Sequence, residues 1–388
     1  MISVSEALDR LFALAPVLEP DLVPLREAGG RVLACTVRAR RDQPPFAASA
    51  MDGYAVTEAA QGLRLRVIGE AAAGRRFAGR VGAGEAVRIF TGAPVPEGAK
   101  TVVIQEDVDR DGDTILLTDR LGPGPNIRPM GGDFTSGTEL AAPRLLGPQE
   151  IALLAAMNVA EVPVTRRPRV ALISTGDELV MPGEDPGPDQ IIASNTFGLY
   201  VLLQQLGAEP RLLPIAHDTD AALRMVFSLV EDADLVVTIG GASVGDHDLV
   251  ARVAGDLGME QAFHTVAMRP GKPLMSGRIG EAMMLGLPGN PVSAMVCGHV
   301  FLAPVIRAML GLGKAPAPRR QMALSRGIEA NGPREHYMRA RLTPQGIEVF
   351  DRQDSALLSV LGAADALVVR PPRDGARAAG EMVEFVPL

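Results

Sequence analysis

The chain has 388 residues with 38 basic and 46 acidic side chains, a formal net charge of −8. At about 150 residues per domain this length predicts several domains with proper cores, and a 47% hydrophobic share excludes a wholly disordered chain. Tryptophan is absent and lysine occurs only at Lys100, Lys272 and Lys314, so the clustered cations and stacking rings used to bind nucleic acid are missing.

From the N-terminus, Ser3-Val4-Ser5-Glu6 reads as a capping box opening a short helix with an apolar stripe of Val4, Leu8, Leu11 and Phe12. The first residues, Met1 to Pro20, carry Glu6, Asp9 and Glu19 and no basic segment, which does not fit a signal peptide. Strand-like runs at Leu63–Ile68, Ala86–Phe90, Thr101–Gln105 and Thr114–Leu117, separated by Gly, Pro and Asp, predict a β-rich module. Gln149–Asn158 reads as a helix and Val162–Pro168 as a connector. Then strands Val170–Ile173, Arg211–Leu213, Leu235–Ile239 and Met283–Leu287 each precede a helix: Asn195–Leu206, Ala221–Glu231, Asp248–Leu257 and Val292–Leu310. Continuous apolar strands alternating with helices predict a parallel sheet covered on both faces. After the Gly/Pro/Ala linker Gly311–Pro318, short runs at Gln321–Ile328, Met338–Leu342, Ile347–Phe350, Ala366–Val369 and Met382–Val386 predict a small β domain. No apolar run approaches the roughly 18–20 residues of a membrane span. Only Cys35 and Cys297 are present, without a CxxC, which fits a reducing cytoplasm and excludes a disulfide framework or cysteine zinc site.

Ligands of open α/β sheets bind beyond the carboxyl ends of the strands. The polar segments there are Ser174–Glu178, His217-Asp218, Gly240–Asp248 and Leu287–Ser293. Glycines ahead of helix starts let backbone N–H groups approach an anion, and Asn290 with Pro291 has the composition of an N-cap and first helical position. Asp218 and Asp248 follow different strands of one sheet, an arrangement suited to Mg²⁺ shared with phosphate oxygens. Met268-Arg269-Pro270-Gly271-Lys272-Pro273 sets two cations among rigid residues, and Arg334 and Arg339 flank Tyr337; fixed cations beside N–H donors suit a tetrahedral dianion. Ser49–Tyr54 and Gly131–Phe134 read as turns carrying single carboxylates. There is no GxxxxGK[ST] and no HExxH, and the five histidines lack metal-ligand spacing. Gly241-Ala242-Ser243-Val244-Gly245 also satisfies the GxSxG of a serine hydrolase, but the adjoining Gly240, Asp246 and Asp248 point to an anion- and metal-binding loop.

Taken in order, these segments resemble the MoeA family of molybdopterin molybdenumtransferases. The resemblance runs from Gln43–Phe46 and Ser49–Val56 through Ile89–Ala93, Gln105–Asp107, Ile127-Arg128 and Gly132-Asp133. It continues through Ser174–Leu179, Gly240-Gly241, Ser243–Gly245, Asp248, Pro270–Pro273 and Gly286–Ser293. It implies a multidomain α/β chain: an elongated helical part (1–44 with 141–167), a β-rich lobe (45–140), an αβα molybdopterin-binding domain (168–315) and a C-terminal β barrel (316–388). It further implies a homodimer in which Asp52, Thr91 and Asp133 of one subunit reach the αβα domain of the other. The family reaction converts adenylylated molybdopterin and molybdate, with Mg²⁺, into molybdenum cofactor and AMP.

On that resemblance Asp52, Asp133, Asp218 and Asp248 are the candidate catalytic carboxylates, Asp218 and Asp248 the Mg²⁺ ligands. Thr91, Glu178, Gly240, Gly241, Ser243, Gly245, Pro288, Gly289, Asn290 and Pro291 are the substrate-binding candidates. Arg269, Lys272, Ser293, Arg334 and Ser355 are the candidates for molybdate. Arg269 stands where many members have lysine, exchanging a point charge for a planar fork, and His264 where lysine is frequent. Lys100 stands where a non-basic residue is usual and reads as a surface change. The first two differences leave molybdate or tungstate open as the oxyanion. Two other functions are compatible with the fold: the preceding adenylyl transfer, and a non-catalytic gephyrin-like scaffold. An upstream adenylyltransferase and recipient molybdoenzymes are the implied partners, with neither nucleic acid nor membrane.

Overall fold

The computed structural model describes residues 1–241 and 249–388. They divide into two compact units: Met1–Asp21, Gly30–Val32 and Thr165–Leu388 form the first, Leu22–Gly29 and Leu33–Val164 the second.

The first unit is built on a six-stranded sheet in the order Glu209–Leu212, Arg169–Ser174, Leu235–Ile239, Ala282–Leu287, Pro273–Ile279, Glu260–Thr265. The first four strands are parallel, as their unbroken apolar character predicts. Their alternate side chains feed two separate cores: Val170, Leu172, Val237 and Leu285 on one face, Ala171, Ile173, Val236 and Met284 on the other. The sheet is not wholly parallel, however. Pro273–Ile279 and Glu260–Thr265 extend it antiparallel; they escape sequence reading because one begins with proline and the other is a mostly polar edge whose first two residues are exposed.

The helix Val4–Leu14 packs Val4, Ala7, Leu8, Leu11 and Phe12 into this same core. Ser3 caps it by accepting from Glu6 N–H at 3.1 Å, while the Glu6 carboxylate takes a bond from Arg10 at 2.6 Å. The long C-terminal helix of the sheet runs as Pro291–Cys297 and Ala303–Met309, joined by a wider π turn at Gly298–Leu302. The expectation that no segment matches a membrane span needs correction here. Pro291–Met309 is long and apolar enough to cross one, but 78% of it is buried inside the protein, where it forms the centre of the core.

At the opening of the sheet, Asp234 accepts two bonds from the Arg166 guanidinium, at 2.7 and 2.6 Å, and one from Arg169 N–H at 2.8 Å. Burial by itself raises the Asp234 carboxyl, yet the Arg166 and Arg169 bonds together outweigh it and hold the group below the ordinary carboxylate range. A depressed acid stabilises the fold above its unfolded value and stops doing so as pH falls through the folded one. Asp234→Asn is therefore expected to cost about 2 kcal/mol at neutral pH, with the gap to wild type closing in acid. Urea titrations from about pH 7 downward measure it; a gap that widens in acid contradicts the assignment.

The C-terminal strands form an antiparallel array, with Gly346–Val349, Glu335–Thr343, Ala366–Arg370, Met382–Pro387 and Arg320–Ala323 adjacent in that order. A bridge from Leu324 to Ile347 returns the last of these to the first, closing the array as a small barrel around Ala340, Ile347, Val368 and Phe385.

The second unit holds a six-stranded sheet, ordered Thr101–Ile104, Gly53–Val56, Glu85–Ile89, Arg64–Ala71, Thr114–Leu117, Val108–Asp111. Gly53–Val56, whose first two residues read from sequence as the end of the Ser49–Tyr54 turn, is a wholly buried inner strand. Tyr54 and Val56 enter one core and Ala55 the other, so this four-residue strand has no polar face to alternate with. Glu161–Thr165, read as a connector, is also a strand. A third cluster gathers Leu33, Leu146, Val162 and Val164 around Leu154 of the helix Pro148–Ala156.

Candidate functional site

A cavity of about 780 Å³ lies over the carboxyl ends of the parallel strands of the first unit. Each strand delivers its following loop to the same edge. Asp218 follows Glu209–Leu212, Glu178 follows Arg169–Ser174, Gly240 and Gly241 follow Leu235–Ile239, and Pro288–Pro291 with Ser293 follow Ala282–Leu287. Pro273–Ile279 runs antiparallel, so its start, with Arg269 and Lys272 just before it, reaches that edge too. Arg334 and Ser355 complete the wall from the C-terminal strands and loops.

Charge is therefore sorted along the row. Neighbouring strands lie about 4.8 Å apart, so the strand that leads to Asp218 is four spacings, about 19 Å, from the strand that the cations precede, and the strand that leads to Glu178 is three, about 14 Å, with glycines between. Ser243, Gly245 and Asp248 lie outside the described residues.

At the acidic end Asp177 Oδ1 accepts from Asp218 N–H at 3.0 Å and lies 3.1 Å from His217 Nδ1. Burial, then the neighbouring Asp177 and Glu178 charges, push the Asp218 carboxyl above its ordinary range. Gly176, at φ +147°, leaves the space the Glu178 carboxylate occupies: a Cβ there would lie 2.5 Å from Glu178 Oε2. In the middle of the row Gly240 has φ +94°, and a Cβ on it would sit 2.6 Å from the Thr175 carbonyl oxygen. Asn195 Nδ2 donates to Gly289 O at 2.7 Å and so ties the next helix to the Pro288–Pro291 turn.

The expected side-chain cap at Asn290 is not formed. Pro291 takes the first helical position, and Val292 N–H donates instead to Ser355 O at 3.0 Å. The C-terminal module thus supplies the cap, and the Asn290 side chain stays exposed at the cavity. At the cationic end Arg269 and Lys272 are exposed and Arg334 is half-buried. His336 is buried beneath them. Burial, then Arg269, Arg339, Arg370 and Arg334, push its pKa down to about 4. His336 thus adds no positive charge there near neutrality.

Asp52, Thr91 and Asp133 belong to the second unit. Asp52 Oδ1 accepts from both Thr91 N–H and Thr91 Oγ1 at 2.7 Å. Those two bonds, and more weakly Arg88, hold the Asp52 carboxyl below its ordinary range even though it is solvated. Arg88 is itself fixed over the Tyr54 and Phe90 rings at 5.0 and 4.9 Å and donates to Gly53 O. Backbone bonds hold these segments: Gly92 N–H donates to Ser49 O, Ala50 N–H to Asn126 O, and Asp133 N–H to Gln43 O. Asp52 and Thr91 are thus brought together directly, while Asp133 is tied to Gln43 ahead of the Asp52 turn.

Among the described residues no group of three His, Cys, Asp or Glu side chains converges as a ready metal cage. Mg²⁺ does not require one, because it commonly uses one or two carboxylates together with substrate phosphates. Asp218, with its excess of neighbouring negative charge, is a fitting oxygen donor. Thr175 lies in the wall as part of the Ser174–Glu178 segment named from sequence, whereas sequence reasoning missed Ile191, Asn195, Gln353 and Asp354 there. Asn195 opens a helix and carried that signal; the others are near the site only through tertiary folding.

A multidomain α/β fold with a charge-sorted cleft at its strand ends defines a class of proteins suited to ligands that bear phosphate or another oxyanion. The comparisons with known proteins narrow the class. Family models match in series: the MoeA N-terminal region (domain I and II) over residues 2–158, a probable molybdopterin binding domain over 171–308, and the MoeA C-terminal region (domain IV) over 321–388. A molybdopterin molybdenumtransferase of Nostoc sp. is 37% identical over 393 aligned residues, covering 96% of this chain and 90% of that protein. One from Haemophilus influenzae is 33% identical and covers 100% of this chain and 99% of its own length. The crystal structure of a molybdopterin biosynthesis MoeA protein from Pyrococcus horikoshii superposes with a TM-score of 0.86 at 31% identity, covering 100% of this chain and 99% of that one. The chain belongs to the MoeA family, enzymes of molybdenum cofactor biosynthesis.

Proposed function

We propose that the chain transfers molybdenum from molybdate to adenylylated molybdopterin in the cytoplasm, cleaving the phosphoanhydride and releasing AMP. The carrying observation is the single cavity that holds Arg269, Lys272 and Arg334 at one end and Asp218 and Glu178 at the other, with glycine loops between. The family membership and the names of its relatives add support.

Molybdate is a dianion and the other substrate carries several phosphate charges, so their approach is repulsive until offset. Arg269, Lys272 and Arg334, with the Ser293 and Ser355 hydroxyls, would receive the oxyanion through charge-assisted bonds. Gly240, Gly241 and the Pro288–Pro291 turn would let the substrate's phosphates approach the backbone, joined by Ser243 and Gly245. A carboxylate meets a phosphate favourably only across a shared cation, so Glu178 would act beside the Asp218 and Asp248 site for Mg²⁺. That ion, when bound, supplies charge neutralisation on the anhydride oxygens. Asp52, held ionised by Thr91, is suited to accept hydrogen bonds or a metal ion and is a weakened base; Asp52 or Asp133 would bind metal or relay protons as oxo groups leave. By family resemblance these two act on the cavity of a partner subunit in a homodimer, and the chain keeps the fourfold domain division set out above. An upstream adenylyltransferase would deliver substrate and recipient molybdoenzymes would take the product.

Incubating the purified chain with adenylylated molybdopterin, Mg²⁺ and molybdate should release AMP together with active cofactor. AMP formed without cofactor, or adenylylation of molybdopterin from ATP, would overturn this reading. Mixing Asp52→Asn and Asp218→Asn chains should restore activity in mixed dimers if the site is shared.

Asp218→Asn alone should lower AMP release about 100-fold or more. A raised acid favours folding below its unfolded value and loses that contribution as pH rises through the folded one. At neutral pH the ionised Asp218 is thus a cost, so the asparagine variant should unfold no earlier than wild type in a thermal melt.

A further inference from the structure

We propose that Arg339 is a positioning residue for oxyanion binding, clamping the Gln353–Ser355 segment from behind the cavity wall and placing there a positive charge that no carboxylate directly pairs. The proposal rests on the reading of the cavity's cationic end as the molybdate site.

Arg339 lies on the strand Glu335–Thr343, is 1% exposed and does not itself line the cavity. Its contacts converge on one short segment that does. Arg339 N–H and Nε both donate to Gln353 Oε1, at 3.0 and 3.3 Å, and a terminal guanidinium nitrogen donates to Asp354 O at 2.8 Å. Gln353 Nε2 answers by donating to Arg339 O at 3.0 Å and Phe350 O at 2.8 Å. The Gln353 amide is thereby engaged at both ends and has one orientation. Two residues on, Ser355 O accepts the Val292 N–H that opens the helix carrying Ser293. Arg339 is thus joined through Gln353, Asp354 and Ser355 to the helix start on the opposite side of the oxyanion end. A shift of this segment would move the Ser355 hydroxyl and the Ser293 turn together.

Packing alone does not call for a charge at this position. Burying a guanidinium is costly unless an anion compensates it. The other fully buried arginine, Arg370, has such an anion in Asp374 at 2.6 Å. Arg339 makes no ion pair among the described residues; Asp354 turns an oxygen to Ala356 N–H at 2.8 Å and offsets the buried guanidinium only through space, by less than burial costs it. Further counter-charge is what a dianion held by Arg269, Lys272 and Arg334 would bring. The free protein bears the desolvation cost, and the bound oxyanion recovers it.

The test is molybdate and, separately, AMP binding to the full-length chain by calorimetry, with variants that split the two roles. Arg339→Lys keeps the charge but cannot reach Gln353 and Asp354 together; Gln353→Met keeps the guanidinium and removes the clamp. Each should weaken molybdate about 10-fold, and Arg339→Met, which loses both, about 100-fold. AMP affinity should stay within about two-fold throughout, and Arg339→Lys should recover part of the Arg339→Met loss. Wild-type molybdate affinity in both Arg339→Lys and Gln353→Met overturns the proposal, whether or not Arg339→Met folds. A parallel fall in AMP affinity also overturns it, because that reports general collapse. Absence of saturable molybdate binding by the wild-type chain would instead remove the functional reading, and the proposal with it.

Discussion

Lys272→Met should lower kcat/KM for molybdate by about 10²–10³-fold, the loss found when one fixed charge or donor is withdrawn from an anionic site. The side chain is exposed at the cationic end of the cavity, and the Lys272 backbone carbonyl accepts from Val266 N–H at 3.0 Å, a bond the substitution leaves in place. The variant should therefore melt as wild type does. Arg269 and Arg334 remain, so the defect should appear chiefly as a raised KM and should shrink at high molybdate. Lys272→Arg should recover part of the rate, since it restores charge with a different donor geometry. Steady-state AMP release across a molybdate titration makes the measurement. A kcat/KM within about two-fold of wild type would remove Lys272 from the oxyanion site.

Gly271→Ala should be more damaging still, by another route. Gly271 stands between the cis-proline-linked Arg269-Pro270 pair and Lys272 at φ +102°, where an L side chain is strained. A Cβ there would also lie 2.6 Å from Cys297 Sγ and 3.3 Å from Met268 Sδ, both in buried core. Strain and overlap together predict a loss of about 2–4 kcal/mol, with both cations displaced and activity falling accordingly. Denaturant titration of the single variant and of Gly271→Ala/Cys297→Ala separates the two causes. Removing the sulfur should relieve the overlap but not the backbone strain, so the double variant should be more stable than the sum of the single losses. Simple additivity would mean that Cys297 is not the obstacle.

The sheet was legible because buried parallel strands must be apolar on both faces, and Val170–Ile173 and Leu235–Ile239 are such runs. Pro273–Ile279 was not, since its proline, serine, glycine and arginine resemble loop chemistry until a neighbouring strand supplies their setting. Gly53–Val56 was hidden for the opposite reason: Asp52-Gly53 looks like a turn, and only sheet order shows it entering an inner strand. Glycine loops and paired cations marked the cavity in advance because backbone access and charge are local properties. The Val292–Ser355 cap and the Arg339 clamp were not visible, as the first joins residues far apart in sequence and the second depends on which way a buried side chain turns.

The sorting of acids and cations along the strand ends has a directional consequence. A long guest with unlike ends gains at both termini when it lies one way round and is opposed at both when reversed. The groove therefore discriminates heading as well as composition, and a guest arriving backwards would be expelled before any bond is broken.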